Sequence, residues 1–340
     1  MKRKVVVFFL VFLFFSLAGS SAKRITVEEI YREYKFLQNS FDEVFPSEKS
    51  AHFFTLKNNK NIVKYSYKTG KIVETIFNVD HVSIPGVFYV YEFNLHEKEN
   101  KILFSTNVEK LYRYSYFADY YIFDINTGKF EPVAEDIKIR DATFSPDGKK
   151  VAYVHENNLF IKDLKTSIVK KVTNDGVKNQ VINGVPDWVY EEEFSYHRAY
   201  EWSPGSNKIA FCKFDESHVK EYHLKIYNEL YPKIYSYKYP KAGEKNSKVS
   251  VHIYNLETDV QKKVYLGDET DQYIPRIKWV NQTGDLAIYR LNRLQNEFEL
   301  LLANEVTGET RSVYKESNKW YISDMYDHLV TFTGDKFILT

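Results

Sequence analysis

The chain has 340 residues with 47 basic and 46 acidic side chains, and this balance excludes a nucleic-acid surface, which needs a strong positive excess. Aromatic residues make up 17%, with 28 Tyr and 25 Phe, a composition that favours strands over helices. Cys212 is the only cysteine, so no internal disulfide forms, and its place in the alternating run Phe211-Cys212-Lys213 reads as a buried, inert thiol. The partner class left by these numbers is small or peptidic.

In chain order, Lys2-Arg3-Lys4 precedes an apolar core over Val5 to Leu17 and the small residues Ser20-Ser21-Ala22. This is the pattern of an export signal over residues 1–22, cleaved after Ala22. It implies a periplasmic or secreted protein, with an uncleaved signal serving as a membrane anchor as the alternative. The core is short for a spanning helix, which needs about 20 apolar residues. Residues 23–50 open with Thr26-Val27-Glu28-Glu29, a capping box that predicts a short helix ending before Phe45-Pro46.

From residue 51 to 340 the sequence reads as strands joined by two recurring turns. One turn carries a threonine: Lys68-Thr69-Gly70, Asn126-Thr127-Gly128, Lys165-Thr166-Ser167, Glu257-Thr258-Asp259 and Val306-Thr307-Gly308. The threonines lie 58, 39, 92 and 49 residues apart, and 92 is close to two ordinary intervals. The other turn interleaves with the first, at Phe144-Ser145-Pro146-Asp147-Gly148 and Trp202-Ser203-Pro204-Gly205, with looser copies over Trp279 to Ile288 and Val330 to Leu339. Two hairpins in about 40 to 55 residues make a four-stranded unit of propeller-blade size. The expected fold is all-β, an incomplete β-propeller with a short N-terminal helix and a short inserted helix. A β-sandwich would lack the paired recurrence.

The double-length interval contains the octet Asp187-Trp188-Val189-Tyr190-Glu191-Glu192-Glu193-Phe194. Pro186 bars a regular strand, and Asp187 is placed to cap a helix carrying the three glutamates. On a strand neighbouring glutamates would point to opposite faces. On a helical turn they sit about 100° apart and can converge on one target. Adjacent carboxylates among large apolar residues repel and resist burial, so the pattern calls for a cation.

This octet closely resembles the glutamate motif of the dipeptidyl peptidase IV family. Tyr112-Arg113-Tyr114-Ser115-Tyr116 followed by Tyr121-Ile122-Phe123-Asp124 is similar to the family's arginine-bearing blade, and Tyr237-Lys238-Tyr239-Pro240-Lys241-Ala242-Gly243 followed by Val249 to Tyr254 is similar to another of its segments. The resemblance spans nearly all of the expected mature chain. It implies that Glu192 and Glu193 receive the N-terminal ammonium of a peptide substrate and that Arg113 contacts a substrate carbonyl and helps neutralise them. Glu191 is expected to be solvated or structural. The implied activity is that of a serine exopeptidase releasing X-Pro or X-Ala dipeptides. Release of tripeptides is the less favoured variant, given paired glutamates.

Family members cleave with a serine, aspartate and histidine on an α/β-hydrolase domain that follows the propeller. Its nucleophile elbow needs Gly-x-Ser-x-Gly. Only Gly19 has a serine two places on, and Lys23 stands where the second glycine belongs. His96-Glu97 and His155-Glu156 lack the second histidine of a zinc helix. No catalytic residue, metal or cofactor is therefore expected in this chain. The repeats account for about six of the eight blades that the resemblance implies. The expectation is a truncated, inactive recognition propeller whose open sheet edges invite association, including pairing of two copies. A non-catalytic exported propeller that binds peptides or proteins is the alternative.

Overall fold

The computed structural model describes residues 24–38, 43–82, 84–98, 100–281, 283–323, 330–333 and 336–339. The expected export signal lies outside these residues. Residues 1–42 and 43–340 form two compact units. In the first, helix α1 (Val27–Tyr31) has the capping box: the Glu29 amide donates to Thr26 Oγ1 at 3.1 Å, and the Thr26 amide donates to the Glu29 carboxylate at 3.2 Å. Among the described residues no helix is long and apolar enough to cross a membrane.

The second unit is built of antiparallel sheets in chain order. The first holds β1 (Phe45–Pro46), β2 (His52–Lys57), β3 (Asn61–Ser66) and β4 (Ile72–Asn78). The second holds β5 (Glu92–His96), β6 (Lys101–Lys110), β7 (Tyr116–Asp124) and β8 (Phe130–Pro132). The third holds β9 (Arg140–Phe144), β10 (Lys150–His155), β11 (Asn158–Asp163) and β12 (Val169–Lys171).

The fourth sheet has five strands, with β13 (Val181–Asn183) and β14 (Tyr200–Trp202) both on one edge of β15 (Lys208–Asp215). A separate hairpin, β16 (Glu221–Ile226) and β17 (Lys233–Lys238), leads into β18 (Lys248–Asn255) and β19 (Val260–Lys263), which complete that sheet. The fifth holds β20 (Gln272–Trp279), β21 (Leu286–Asn292), β22 (Glu297–Ala303) and β23 (Thr310–Ser317). A last hairpin pairs β24 (Val330–Thr333) with β25 (Lys336–Leu339). This hairpin falls on the looser copy of the turn over Val330 to Leu339, and Val330 faces Leu339.

All five threonine turns join the third strand of a sheet to the fourth, so their recurrence marks equivalent positions. The chemistry is shared. Asp124, Asp163, Asn255 and Asn304 each accept the amide of the threonine three residues on, at 2.9 to 3.1 Å. The residue after the threonine takes a left-handed backbone in every case, with φ between 58° and 76°. That conformation suits Gly70, Gly128 and Gly308 without strain. The Ser-Pro turns join first strands to second.

Large apolar side chains pack between successive sheets. Phe54, Ile62, Phe77 and Phe104 share a core between the first two, and Leu103, Ile122, Val151 and Tyr153 share one between the second and third. A larger core runs from the third sheet through the fourth to the fifth and takes in Tyr190 and Phe194. Four-stranded sheets burying both faces against their neighbours are the blade packing of a propeller.

Candidate functional site

The fourth blade is interrupted at its first strand, and the interruption carries the acidic octet. Asn183, the last residue of β13, faces Lys213, and Tyr200, the first of β14, faces Phe211. Residues 184–199 therefore replace only the ladder position opposite Cys212. The ladder closes across the gap: the Gly184 amide donates to the Cys212 carbonyl at 3.0 Å, and the Cys212 amide donates to the Ala199 carbonyl at 2.8 Å. Gly184 turns the chain out with φ 77°, and a Cβ there would come within 3.1 Å of Val154. Burial pushes the Cys212 thiol up to about 12, so it stays protonated and inert at this neck.

Within the loop lies helix α2 (Trp188–Phe194), capped by Asp187, whose carboxylate accepts the Tyr190 amide at 3.0 Å. Asp187 also accepts the Ser247 hydroxyl, and its burial raises its pKa above the ordinary carboxylate value. Tyr190 and Phe194, four residues apart and so on one helical face, pack against Tyr273. The Tyr190 hydroxyl accepts the Ile274 amide at 3.0 Å, and Arg276 donates to the Phe194 carbonyl at 2.8 Å at the helix end. A cation there also meets the negative end of the helix dipole. The short helix is thus fixed by tertiary contacts, since one of two turns is not stable alone.

The remaining face presents the three glutamates in three directions. Glu191 is 1% exposed and accepts the amides of Tyr114 at 2.9 Å and Ser115 at 2.7 Å. These amides belong to the β6–β7 connection of the second blade, so Glu191 ties that loop to α2. It is structural, and the solvated alternative is excluded. Glu192 is paired with Arg113 on the same loop, Nε to Oε2 at 2.7 Å. That contact raises the Arg113 pKa further above its ordinary value. The Ser195 hydroxyl adds a bond to the Tyr114 hydroxyl at 3.2 Å.

Glu193 is exposed and has no hydrogen-bond or ion-pair partner among the described residues. It borders an open cavity of about 450 Å³ with Tyr273, Gln295 and Tyr321. The structure thus joins Glu192 to Arg113, as the sequence reading anticipated, and leaves Glu193 without a shared partner. Two features escaped that reading: the Glu191 clamp and Glu216, which lies in a larger cavity beside α2. The clamp joins a carboxylate to backbone amides 76 and 77 positions away, and amides carry no sequence signal.

Residues 96–340 match the family described as the dipeptidyl peptidase IV (DPP IV) N-terminal region. The chain belongs to that family. It is similar to the crystal structure of Porphyromonas gingivalis dipeptidyl peptidase 4, with 35% identity and a TM-score of 0.85 over 92% of this chain and 45% of that one. Podospora anserina probable dipeptidyl-aminopeptidase B is 33% identical over 64% of this chain and 25% of that protein. Rattus norvegicus inactive dipeptidyl peptidase 10 is 28% identical over 95% of this chain and 41% of that protein. The chain therefore spans less than half the length of these relatives, and the matched region is the β-propeller-like N-terminal one.

Proposed function

We propose that this chain is the substrate-recognition propeller of an exported dipeptidyl peptidase IV-like serine exopeptidase that acts on X-Pro and X-Ala peptide ends. In this reading Glu192 and Glu193 receive the free ammonium, and Arg113 neutralises Glu192 and reaches the substrate carbonyl. Cleavage belongs to a hydrolase domain of the kind the family resemblance implies.

The observation that carries the reading is Glu192 held by Arg113 at 2.7 Å on a helix clamped by Glu191. Glu192 Oε1 and both carboxylate oxygens of Glu193 lack partners among the described residues, which makes three acceptors for the three N–H donors of an ammonium. A fixed ammonium sets the distance to the bond that is cut, so the enzyme counts residues from the free end.

Calorimetric titration with an Ala-Pro peptide, free and N-acetylated, tests this. Acetylation removes the charge and two donors, and the expected loss is about tenfold or more in affinity. Equal binding of the two forms overturns the proposal. A second reading, a peptide-binding propeller that supports no cleavage, is favoured by the similarity over 95% of the chain to a relative whose name marks it as inactive.

A further inference from the structure

Beside α2 lies an open cavity of about 690 Å³, walled by Tyr112, Trp188, Tyr235 and Tyr237, with Asp187 and Glu216 among its acidic residues. The rings form a connected set: the Tyr112 and Tyr235 hydroxyls are 3.4 Å apart, and Tyr237 lies 6.1 Å from Tyr112 and 6.0 Å from Trp188 by ring centroid. Glu216 is 6% exposed, and its carboxylate has no hydrogen-bond or ion-pair partner among the described residues. Its backbone is anchored where β15 ends, with the Glu216 amide donating to the Gln180 carbonyl at 2.8 Å.

Glu156 and Lys178 also line the cavity but are exposed to solvent, and the remaining charges there have protein neighbours. Asp187 accepts from Tyr190 and Ser247. Lys238 donates to the Val219 carbonyl at 2.7 Å, and Lys138 donates to Glu109 at 2.6 Å. Arg140 is buried with its Nε 3.7 Å from Asp141, an ion pair without a hydrogen bond. Among these acids Glu216 is the one that is both buried and unpaired, and burying an unpaired carboxylate is unfavourable. Burial and the Asp187 charge push its pKa up to about 7.

We infer that this cavity is a second recognition site for the same peptide, one that takes a lysine or arginine side chain with Glu216 as its counter-ion. The inference deepens the reading above, since it assumes a peptide bound by its free end. A carboxylate among aromatic faces suits such a side chain twice over. The cationic head pairs with the acid and sits over the rings, while the methylene stem packs on them. Tyr112 adjoins Arg113 in sequence, so one loop serves both sites.

The test is calorimetry on the full chain with octapeptides that begin Ala-Pro and carry one lysine moved through positions 3 to 8. Each is paired with a peptide carrying norleucine at that position. At one or more positions lysine is expected to bind about tenfold more tightly than norleucine, the worth of one charge-assisted bond. Acetylating that lysine erases the gain, as does Glu216→Gln. If no position distinguishes lysine from norleucine, or if the gain survives Glu216→Gln, the inference is overturned. Should the variant fail to fold, the acetyl-lysine comparison on the unmodified chain decides. Blocking the peptide N-terminus is a separate arm. Loss of its effect with the lysine gain intact sinks the ammonium reading alone, and the reverse pattern sinks this one alone.

Discussion

The third and fourth blades are built on one ladder and differ in what hangs from it. The third runs from Arg140 to Lys171 with nothing between its strands beyond short turns. The fourth carries two additions, the α2 loop within its first strand and the β16–β17 hairpin between its second and third. Both leave the hydrogen-bonded ladder intact, because each starts and ends at neighbouring points of it. A repeat can therefore carry inserted chain without losing its ladder, provided the insertion finds its own partners. In the fourth blade it finds them in other blades: Glu191 in the second, and Tyr190 and Phe194 in the fifth, where they meet Ile274 and Arg276.

The largest test of that contrast is Glu191→Ala, which leaves two amides of the β6–β7 loop without their acceptor. It is expected to lower unfolding free energy by about 2–4 kcal/mol, measured by urea denaturation. Glu191→Gln keeps an acceptor oxygen and should recover more than half of that loss. If alanine and glutamine behave alike and cost little, the clamp between the blades is not structural.

A smaller effect concerns Glu216 and pH. Its pKa is raised from 4.5 to about 7 by burial first and then by Asp187. The folded state therefore binds the proton more tightly than the unfolded chain does. Stability from this group is complete below about pH 4.5 and is lost as pH rises towards 7, a change of about 2–3 kcal/mol. Denaturation midpoints of the native chain and Glu216→Gln should diverge across this window, with the variant more stable at pH 8. Parallel pH profiles would break the argument.

The smallest effect is expected in the undecorated blade. Thr166→Ala in the exposed β11–β12 turn removes the hydroxyl that donates to Asp163 at 2.9 Å. The bond this hydroxyl accepts from the Ile168 amide at 3.3 Å is lost too, yet the change should stay within about 0.5 kcal/mol in the same urea assay, since the turn is exposed and Asp163 still accepts the residue-166 amide.

Much of this was legible in the amino-acid order because the signals are local. The threonine turns announce themselves through residues at fixed offsets, and Asp163 and Thr166 bond to each other wherever the chain goes. The Asp187 cap and the exclusion of strand by Pro186 are likewise matters of a few neighbouring residues. The pairing of Glu192 with Arg113 was readable only because both stand in recognisable motifs, not from spacing.

The linear order thus determined the blades, the interrupted one among them and the short helix with its row of acids. Tertiary structure decided what each acid does. Successive helical positions rotate by about 100°, so Glu191 is turned inward to buried amides, Glu192 to Arg113 and Glu193 to open space. Packing of the α2 loop and the β16–β17 hairpin likewise left Glu216 buried beside aromatic rings. A carboxylate's role is set by the donors that reach it, and here those donors arrive from blades distant in sequence.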